Sequence, residues 1–446
     1  MVDITIVGLG PGPAELRTAV AQQALDDATH IFVRGHDGVD LDDLLHQPNV
    51  TDLSGYRDNA ATIKWHKAVE VVMASAKVGP IVLAVPGHPR FGEGLVRAVL
   101  AEAAEFGLTT QVIDGLSATD LLASALDIDP IQHRVQLVTG WELQSINAQA
   151  PFDGGLVQLS PRMPVLVTHV YSPEIMQAVA NQLLRVFPAD HDIVLISSAG
   201  LAAEVRESAT IADLHQHPGG WLLAVYVPSQ GDLDASRTPA TLHHIVARLR
   251  REDGCPWDRE QTHQSLAPSL VDEVYEVLDA IEAGDDANFA EELGDLLLLI
   301  MMQAQIAEER GAFQLEDVYH GISTKIVRRH PHVFGDAAAQ NASDVLGLWQ
   351  EIKKQEKADQ PAKPEKAADG QPHSMPALER ARRVLKKHPV EVSESCATDR
   401  QHALFTALAD VIAAGEDPEQ IIRQSLVEHV TARKSGEKSG EEHAFR

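Results

Sequence analysis

Across 446 residues the chain carries 65 acidic and 37 basic side chains, a formal charge of −28, which excludes a general binder of the nucleic-acid backbone while leaving room for a small basic pocket. Its length allows two or three domains, its 44% hydrophobic content supports packed cores, and no apolar stretch is long enough to span a bilayer. Cys255 and Cys396 stand alone and far apart, and the first residues enter a strand-like run without a basic region and cleavage site, so a cytoplasmic protein with neither disulfide framework nor signal peptide is expected.

Residues 2–10 (VDITIVGLG) read as a buried strand that ends in glycines, followed by a turn and a helix. Gly8, Gly10 and Gly12 let the backbone approach a ligand closely. The turn lacks the GxGxxG spacing and the ribose-binding acid of a dinucleotide site. A strand at 30–35 and a helix near 58–77 lead to a strand at 80–85. That strand meets the turn Pro86-Gly87-His88-Pro89, then a helix from about Gly92. A third unit has a strand at 109–114, the turn Gly115-Leu116-Ser117 and another helix. Three such units with their turns at one strand end predict a parallel sheet with a ligand at its carboxyl edge. Between about 130 and 228, VQLVTG, PVLVTHVY, DIVLISSAG and WLLAVYVP read as strands, with a helix at 173–187. They predict a second α/β subdomain on a mixed sheet, and a ligand cleft between the subdomains.

VGLGPG, AVPGHP and DGLSATD, in this order, resemble the tetrapyrrole (corrin/porphyrin) methylase family over roughly residues 2–228. The resemblance implies two α/β subdomains with S-adenosylmethionine between them. It puts Gly8, Gly10, Gly12, Gly87, His88, Ser117 and Ala118 in cofactor-contacting loops, with Tyr171 near a fourth. Two positions depart from the family pattern. Pro13 replaces an Asp in the first loop, and His88 stands where many active methylases have Asp. Both bear on methyl transfer more than on the fold, and no acceptor is named by them.

Residues 229–238 (SQGDLDASRT) read as a polar linker. Thr238-Pro239 then offers an N-cap and a first-turn proline for a helix running to Gly254. In GCPWDREQTHQSL (254–266) the single cysteine supplies no second thiolate for a metal motif. Trp257 reads either as a stacking platform for a base or as a plug in a helical bundle.

The most informative stretch is Leu270 to Met301, LVDEVYEVLDAIEAGDDANFAEELGDLLLLIM. Glu273 and Glu276 form one i,i+3 pair, Glu292 and Asp295 another, and each pair shares a helix face. Leu270, Val274, Val277, Leu278 and Ile281 give an apolar stripe beside the first pair. Gly284 ends that helix and Asp285-Asp286 begins the next, predicting a tight hairpin with four convergent carboxylates. Such groups repel unless a cation separates them, and oxygen-only ligands favour Mg²⁺ or Mn²⁺. A solvated acidic face is the other reading. Against it, the apolar run 296–302 follows directly, setting Asp295 beside a bundle core, and no lysines interleave at i+4.

GCPWDREQTHQSL, EELGD, KIVRRHPHVFG (325–335) and WQEIKKQEK (349–357) closely resemble the MazG nucleoside triphosphate pyrophosphohydrolases over residues 239–355. Residues 2–357 as a whole look like the bacterial fused methylase–MazG proteins of the YabN type. The resemblance implies that Glu273, Glu276, Glu292 and Asp295 hold Mg²⁺, with Asp272 where the family's first motif opens with Glu. It implies that Lys325 and Arg329, at i,i+4, meet phosphates, with Trp257, Arg328, Trp349 and Lys353 on the substrate side. Cations are what triphosphate hydrolysis requires, because charge grows on the α-phosphoryl and on leaving pyrophosphate. The expected reaction is Mg²⁺-dependent conversion of a nucleoside triphosphate to monophosphate and pyrophosphate. One of the four acids, or Glu291, would be the base. A single hairpin has too small a core, so a homodimer is expected. No nucleic-acid or membrane partner is expected.

Residues 358–373 read as a Pro/Ala/Lys-rich linker. The tail from Ser374 resembles a second MazG copy that has lost its acidic helix. Thr398 to His402 stand where EELGD would align, and Arg433 is the one basic residue left to match. The expected organisation is therefore a methylase-like domain (1–228), a linker (229–238), an all-α MazG bundle (239–357), a linker (358–373) and a degenerate helical tail (374–446). Two other functions stay open: a methyltransferase that dimerises through its helical domain, and a sensor that binds both ligands without turnover.

Overall fold

A computed structural model of the chain describes residues 2–35, 41–56, 65–156, 158–359, 375–387, 398–422 and 424–425. The chain divides into two compact units, Met1–Tyr319 and His320–Arg446.

The first unit opens with β1 (Ile4–Gly8), α1 (Ala19–Asp26), β2 (Ile31–Val33), α2 (Asp42–Leu45) and β3 (Val50–Asp52). It continues with α3 (His66–Ala76), β4 (Ile81–Val85), α4 (Gly94–Glu105), β5 (Thr110–Ile113) and α5 (Ala118–Leu126). The strands form one parallel sheet in the order β3-β2-β4-β1-β5. The near-continuous apolar strands β1 and β4 take the centre, where both faces are covered, with Ile4, Ile6, Leu83 and Val85 fully buried. The expected parallel sheet is thus present. The short elements α2 and β3 were not anticipated, since three or four residues carry no readable periodicity. Residues 58–64 of the expected 58–77 helix lie outside the described residues.

A second subdomain follows: β6 (Gln136–Thr139), α6 (Gly140–Asn147), β7 (Val165–Thr168), α7 (Pro173–Leu183), β8 (Asp192–Ser197), β9 (Val205–Thr210) and β10 (Leu223–Val227). Its sheet runs β6-β7-β10-β8-β9, with β6–β7 parallel and the other pairs antiparallel, the mixed sheet the sequence predicts. The unanticipated β9, VRESAT, is a largely exposed edge whose charged residues hide it from a hydrophobicity reading. α7 covers a core of Val165, Val167, Val179, Leu183, Phe187 and Val225. The expected linker 229–238 is tied down: Arg237 Nη1 donates to the Leu184 carbonyl at 2.9 Å, Arg162 pairs with Asp232 at 2.7 Å, and Ala235 is fully buried.

The helices α8 (Pro239–Arg250), α9 (Pro256–Glu260), α10 (Ala267–Ala283), α11 (Asp286–Glu309) and α12 (Leu315–Arg329) come next. Thr238 caps α8, accepting from the Thr241 N–H, as expected. α8 ends four residues before Gly254, which folds back so tightly that a Cβ there would lie 2.2 Å from the Leu249 carbonyl oxygen. Arg250 clamps the end of α8 to Glu309 on α11, with both contacts at 2.7 Å. The small helical core joins Val246, Leu266, Met301, Met302, Ile306 and Leu315. Only the C-terminal half of α11 takes part in it.

In the second unit α12 ends, followed by α13 (Pro331–Phe334), α14 (Ala342–Asp359), α15 (Ala377–Lys387) and α16 (Asp399–Ala413). Thr398 caps α16 by accepting from the Gln401 N–H at 3.3 Å. The stretch Thr398 to His402 is therefore a helix start, unlike the mid-helix EELGD it would align with. Residues 360–374 and 388–397, and Arg433, lie outside the described residues.

Candidate functional site

The carboxylate cluster is made by the α10–α11 hairpin. Gly284 adopts φ +65°, a left-handed conformation that ends α10 without strain. Asp285 then accepts from the Ala287 and Asn288 N–H groups, at 3.1 Å each, and starts α11. So short a reversal leaves the helices antiparallel and adjacent. It sets Glu273 and Glu276 opposite Glu292, with one oxygen of each within 4.8 Å of the others.

Burial, then the charges of Glu276, Asp295 and Glu292, holds the Glu273 carboxyl above its ordinary range. Burial, then Glu276, Asp295 and Glu291, does the same for Glu292. Glu273 Oε2 is buried with no hydrogen-bond partner among the described residues. An orphaned carboxylate oxygen beside two further carboxylates is a costly arrangement alone, and it is the donor set of a hard divalent cation. The residues present therefore fit such an ion. Asp295 lies outside the group of three and is exposed. Its expected place beside a bundle core is corrected accordingly: Leu297 and Ile300 are 40% and 42% exposed, Leu298 and Leu299 only flank the helical core, and its first buried residue on α11 is Met301. Trp257 is 64% exposed, so it plugs nothing. Asp272 and Glu291 are exposed as well.

Lys325, Arg328, Arg329, Trp349 and Lys353 belong to the second unit. Lys325 is exposed. Arg328 and Arg329 both pair with Glu356 on α14, Arg329 Nη2 at 2.6 Å. The hydrogen bond from Arg329, followed by that from Arg328, holds the Glu356 carboxyl down at about 2. Trp349 and Lys353 do meet, with Nζ 5.1 Å from the ring centroid. His330 stands edge-on to Trp349 at 5.3 Å. Trp349 Nε1 and His332 Nδ1 are buried without a hydrogen-bond partner among the described residues. Glu356, His330 and His332 had no role in the sequence reading. Their only signal was their place inside KIVRRHPHVFG and WQEIKKQEK.

In the amino-terminal half, the loops after β1, β4 and β5 interlock. A Cβ on Gly8 would lie 2.6 Å from Pro89 Cδ and 2.7 Å from the Gly115 nitrogen. Gly10 and Gly87, at φ +75° and +74°, exchange backbone hydrogen bonds of 3.3 and 2.7 Å. A Cβ on Gly12 would lie 2.6 Å from Leu201 Cδ2. Gly8, Gly10 and Gly12 thus serve close packing, whereas the missing Cβ of Gly87 faces open space. Ser117 caps α5 in a reciprocal box with Asp120.

Two neighbouring cavities sit at this edge. The first is mainly apolar and includes Pro11, Ala118, Leu121, Tyr171, Trp221 and Leu222. Tyr171 and Trp221 stack at 5.0 Å and 14°. The second includes Arg34, Gly87, His88, Ser117, Thr139 and His169. His88 Nε2 lies 3.6 Å from Asp114. A flat aromatic wall, an apolar floor and an unfilled glycine face fit an adenosyl-type cofactor. Arg34, Thr139, His169 and Trp221 were not singled out from the sequence. His169 sat in a segment read only as a strand, and its φ of +59° marks it in the fold.

The tetrapyrrole (corrin/porphyrin) methylase family matches residues 3–215, and the MazG nucleotide pyrophosphohydrolase domain matches residues 261–334. The uncharacterized protein YabN of Bacillus subtilis (strain 168) is 32% identical over 389 residues, covering 86% of this chain and 76% of that protein. The chain belongs to the YabN family of fused tetrapyrrole methylase–MazG proteins. The MazG match of this YabN-family chain contains the carboxylate cluster, Lys325, Arg328 and Arg329, and leaves out Trp257, Trp349 and Lys353. The nucleoside triphosphate pyrophosphohydrolase of Escherichia coli (strain K12) is 47% identical over 144 residues, 32% of this chain and 54% of that protein. The nucleoside triphosphate pyrophosphohydrolase/pyrophosphatase MazG of Thermotoga maritima is 46% identical over 141 residues, 31% of this chain and 52% of that protein. The chain spans about half the length of these two relatives.

Proposed function

We propose that the helical domain hydrolyses nucleoside triphosphates to monophosphate and pyrophosphate, and that the amino-terminal domain binds S-adenosylmethionine. The observation that carries the first part is the cluster of Glu273, Glu276 and Glu292 with its orphaned buried oxygen. In this reading those three hold Mg²⁺, with Mn²⁺ as a substitute, and Asp295 completes the negative field around it. The bound cation would supply charge neutralisation to the α- and β-phosphates. One of the acids, Glu291 included, takes the proton of the attacking water. Lys325 and Arg329 receive the leaving pyrophosphate, a role they take from the family motif. Arg329 does so by sharing its guanidinium with Glu356. Trp349 and Lys353 form the nucleotide side, and Trp257 and Arg328 add substrate contacts. The names of the E. coli and Thermotoga relatives support this assignment.

The first cavity, with Tyr171 and Ala118, supports the S-adenosylmethionine reading, together with the open side of Gly87, His88 and Ser117 at its neighbour. The domain division expected from sequence, a cytoplasmic location and a homodimer belong to the same proposal. Among the described residues no helix is long and apolar enough to cross a membrane. The deciding experiment measures pyrophosphate release from a panel of canonical and damaged nucleoside triphosphates with Mg²⁺, comparing wild type with Glu276→Gln. Release that is lost in the variant and with EDTA supports the hydrolase. No release from a folded preparation sinks it.

A further inference from the structure

The second cavity carries an assignment of its own, resting on the reading of the first as the cofactor pocket. Its volume is about 240 Å³, below the range usual for drug-sized ligands, so it suits a small acceptor better than a macrocycle. Charge points the same way. The charged side chains lining it among the described residues are Arg34, Glu93 and Glu142. Arg34 Nη2 lies 2.6 Å from Glu93 Oε2, and the two side chains are only 13% and 5% exposed. That pair cancels internally and leaves Glu142 as an uncompensated acid. A tetrapyrrole polycarboxylate brings several carboxylates, each of which needs a guanidinium or ammonium partner once it leaves water. Among the described residues the cavity offers none that is free, and Glu142 repels them.

What the wall does offer is neutral hydrogen bonding. Thr139 Oγ1 is buried and has no hydrogen-bond partner among the described residues. His169 is exposed and lines both cavities. Its left-handed backbone, at φ +59°, fits the ring against Gly92, where a Cβ would lie 2.7 Å from Cε1. This is a strained placement of the kind that clusters at ligand sites. In the tautomer that donates Nδ1–H to Thr168 Oγ1, at 2.9 Å, Nε2 keeps a lone pair for a ligand N–H or O–H. Desolvation, then the charge of Arg34, holds this imidazole below its ordinary pKa and keeps it an acceptor at neutral pH.

We propose that the second cavity takes a small uncharged or cationic methyl acceptor bearing an N–H or O–H group, held by His169 Nε2 and Thr139, and that it excludes tetrapyrrole polycarboxylates. The test uses the full chain saturated with S-adenosylhomocysteine and titrated with uroporphyrin, followed by its fluorescence. In parallel, methyl-labelled S-adenosylmethionine is incubated with the protein and a small-molecule extract, and the products are resolved by ion exchange. The expected results are no saturable uroporphyrin binding by wild type and label in fractions that an anion exchanger does not retain. His169→Gln, with its S-adenosylhomocysteine affinity checked first, should lower that labelling by about a hundredfold. Glu142→Lys, a surface change, should admit measurable uroporphyrin.

Saturable uroporphyrin binding by wild type, label retained on the anion exchanger, or no label in any fraction overturns the inference. Full labelling by His169→Gln overturns the part played by His169. If S-adenosylhomocysteine itself fails to bind, the cofactor reading of the first cavity falls and this inference falls with it. Binding of S-adenosylhomocysteine together with capture of uroporphyrin overturns the inference alone.

Discussion

Glu276 differs from its neighbours in being exposed while raising the pKa of both Glu273 and Glu292. Its removal should therefore relax the metal-free cluster and disable the metal-bound one. Glu276→Gln is expected to lower pyrophosphate release by about a hundredfold or more, as loss of one charge-stabilising contact does elsewhere. It should also erase the rise in melting temperature that Mg²⁺ gives wild type by binding the folded state. An unchanged Mg²⁺-induced shift in the variant would rule out these three carboxylates as the ligands. Glu356 offers a separate pH test. Its carboxyl sits at about 2 in the fold against an ordinary 4.5. A depressed pKa means that the folded state holds fewer protons than the unfolded chain between those values. The stabilisation is complete above 4.5 and is lost as pH falls through about 2. The melting temperature gap between wild type and Glu356→Gln should thus be constant above that window and close within it. A gap that persists to the acid end would remove the ion pair as its source.

The hairpin is the element on which the cluster depends, and its reversal rests on two consecutive residues. Asp285→Ala removes the acceptor for two N–H groups and should cost about 1 kcal/mol in denaturant unfolding. Mg²⁺ affinity should fall with it, because the cap fixes the register between α10 and α11. A loss of stability with no change in Mg²⁺ affinity would mean that the helices keep their register without the cap. Among the interlocked loops the two kinds of glycine should separate. Gly8→Ala drives a Cβ to within 2.6 Å of Pro89 and should destabilise the amino-terminal subdomain. Gly87→Ala meets no neighbour and pays only for its left-handed backbone, about 1–2 kcal/mol. Calorimetry that ranks Gly87→Ala as the more damaging would contradict this packing order.

At the scale of the whole molecule, the apolar stripe read on α10 does not enter the core of a single chain. Of that stripe Val274, Leu278 and Ile281 are 43–55% exposed and Leu270 and Val277 are half-buried, and Leu293, Leu297 and Ile300 on α11 are 40–43% exposed. A face of this size beside the carboxylates is what a second copy would cover in the proposed homodimer. Leu278→Lys with Leu297→Lys should convert a dimer to monomer in sedimentation and remove pyrophosphate release. A wild type that sediments as a monomer while active would refute that arrangement.

The sequence by itself determined what depends on local chemistry. Turn residues, caps and period fixed the α10–α11 hairpin at Gly284 and Asp285, and buried apolar runs announced the central strands β1 and β4. Motifs long enough to be specific carry the resemblance to both families. Only the tertiary structure decided which of those residues meet. It gathered Glu273, Glu276 and Glu292 within reach of one ion and left Asp295 exposed beside them, near enough for its charge to raise both Glu273 and Glu292. It gave Gly8, Gly10 and Gly12 to loop packing and Gly87 to a cavity, since a glycine in sequence does not say where its missing Cβ would point. It set Arg34 against Glu93 and brought Thr139 and His169 to one wall. These residues are far apart along the chain, and local patterns carry no record of long-range contact.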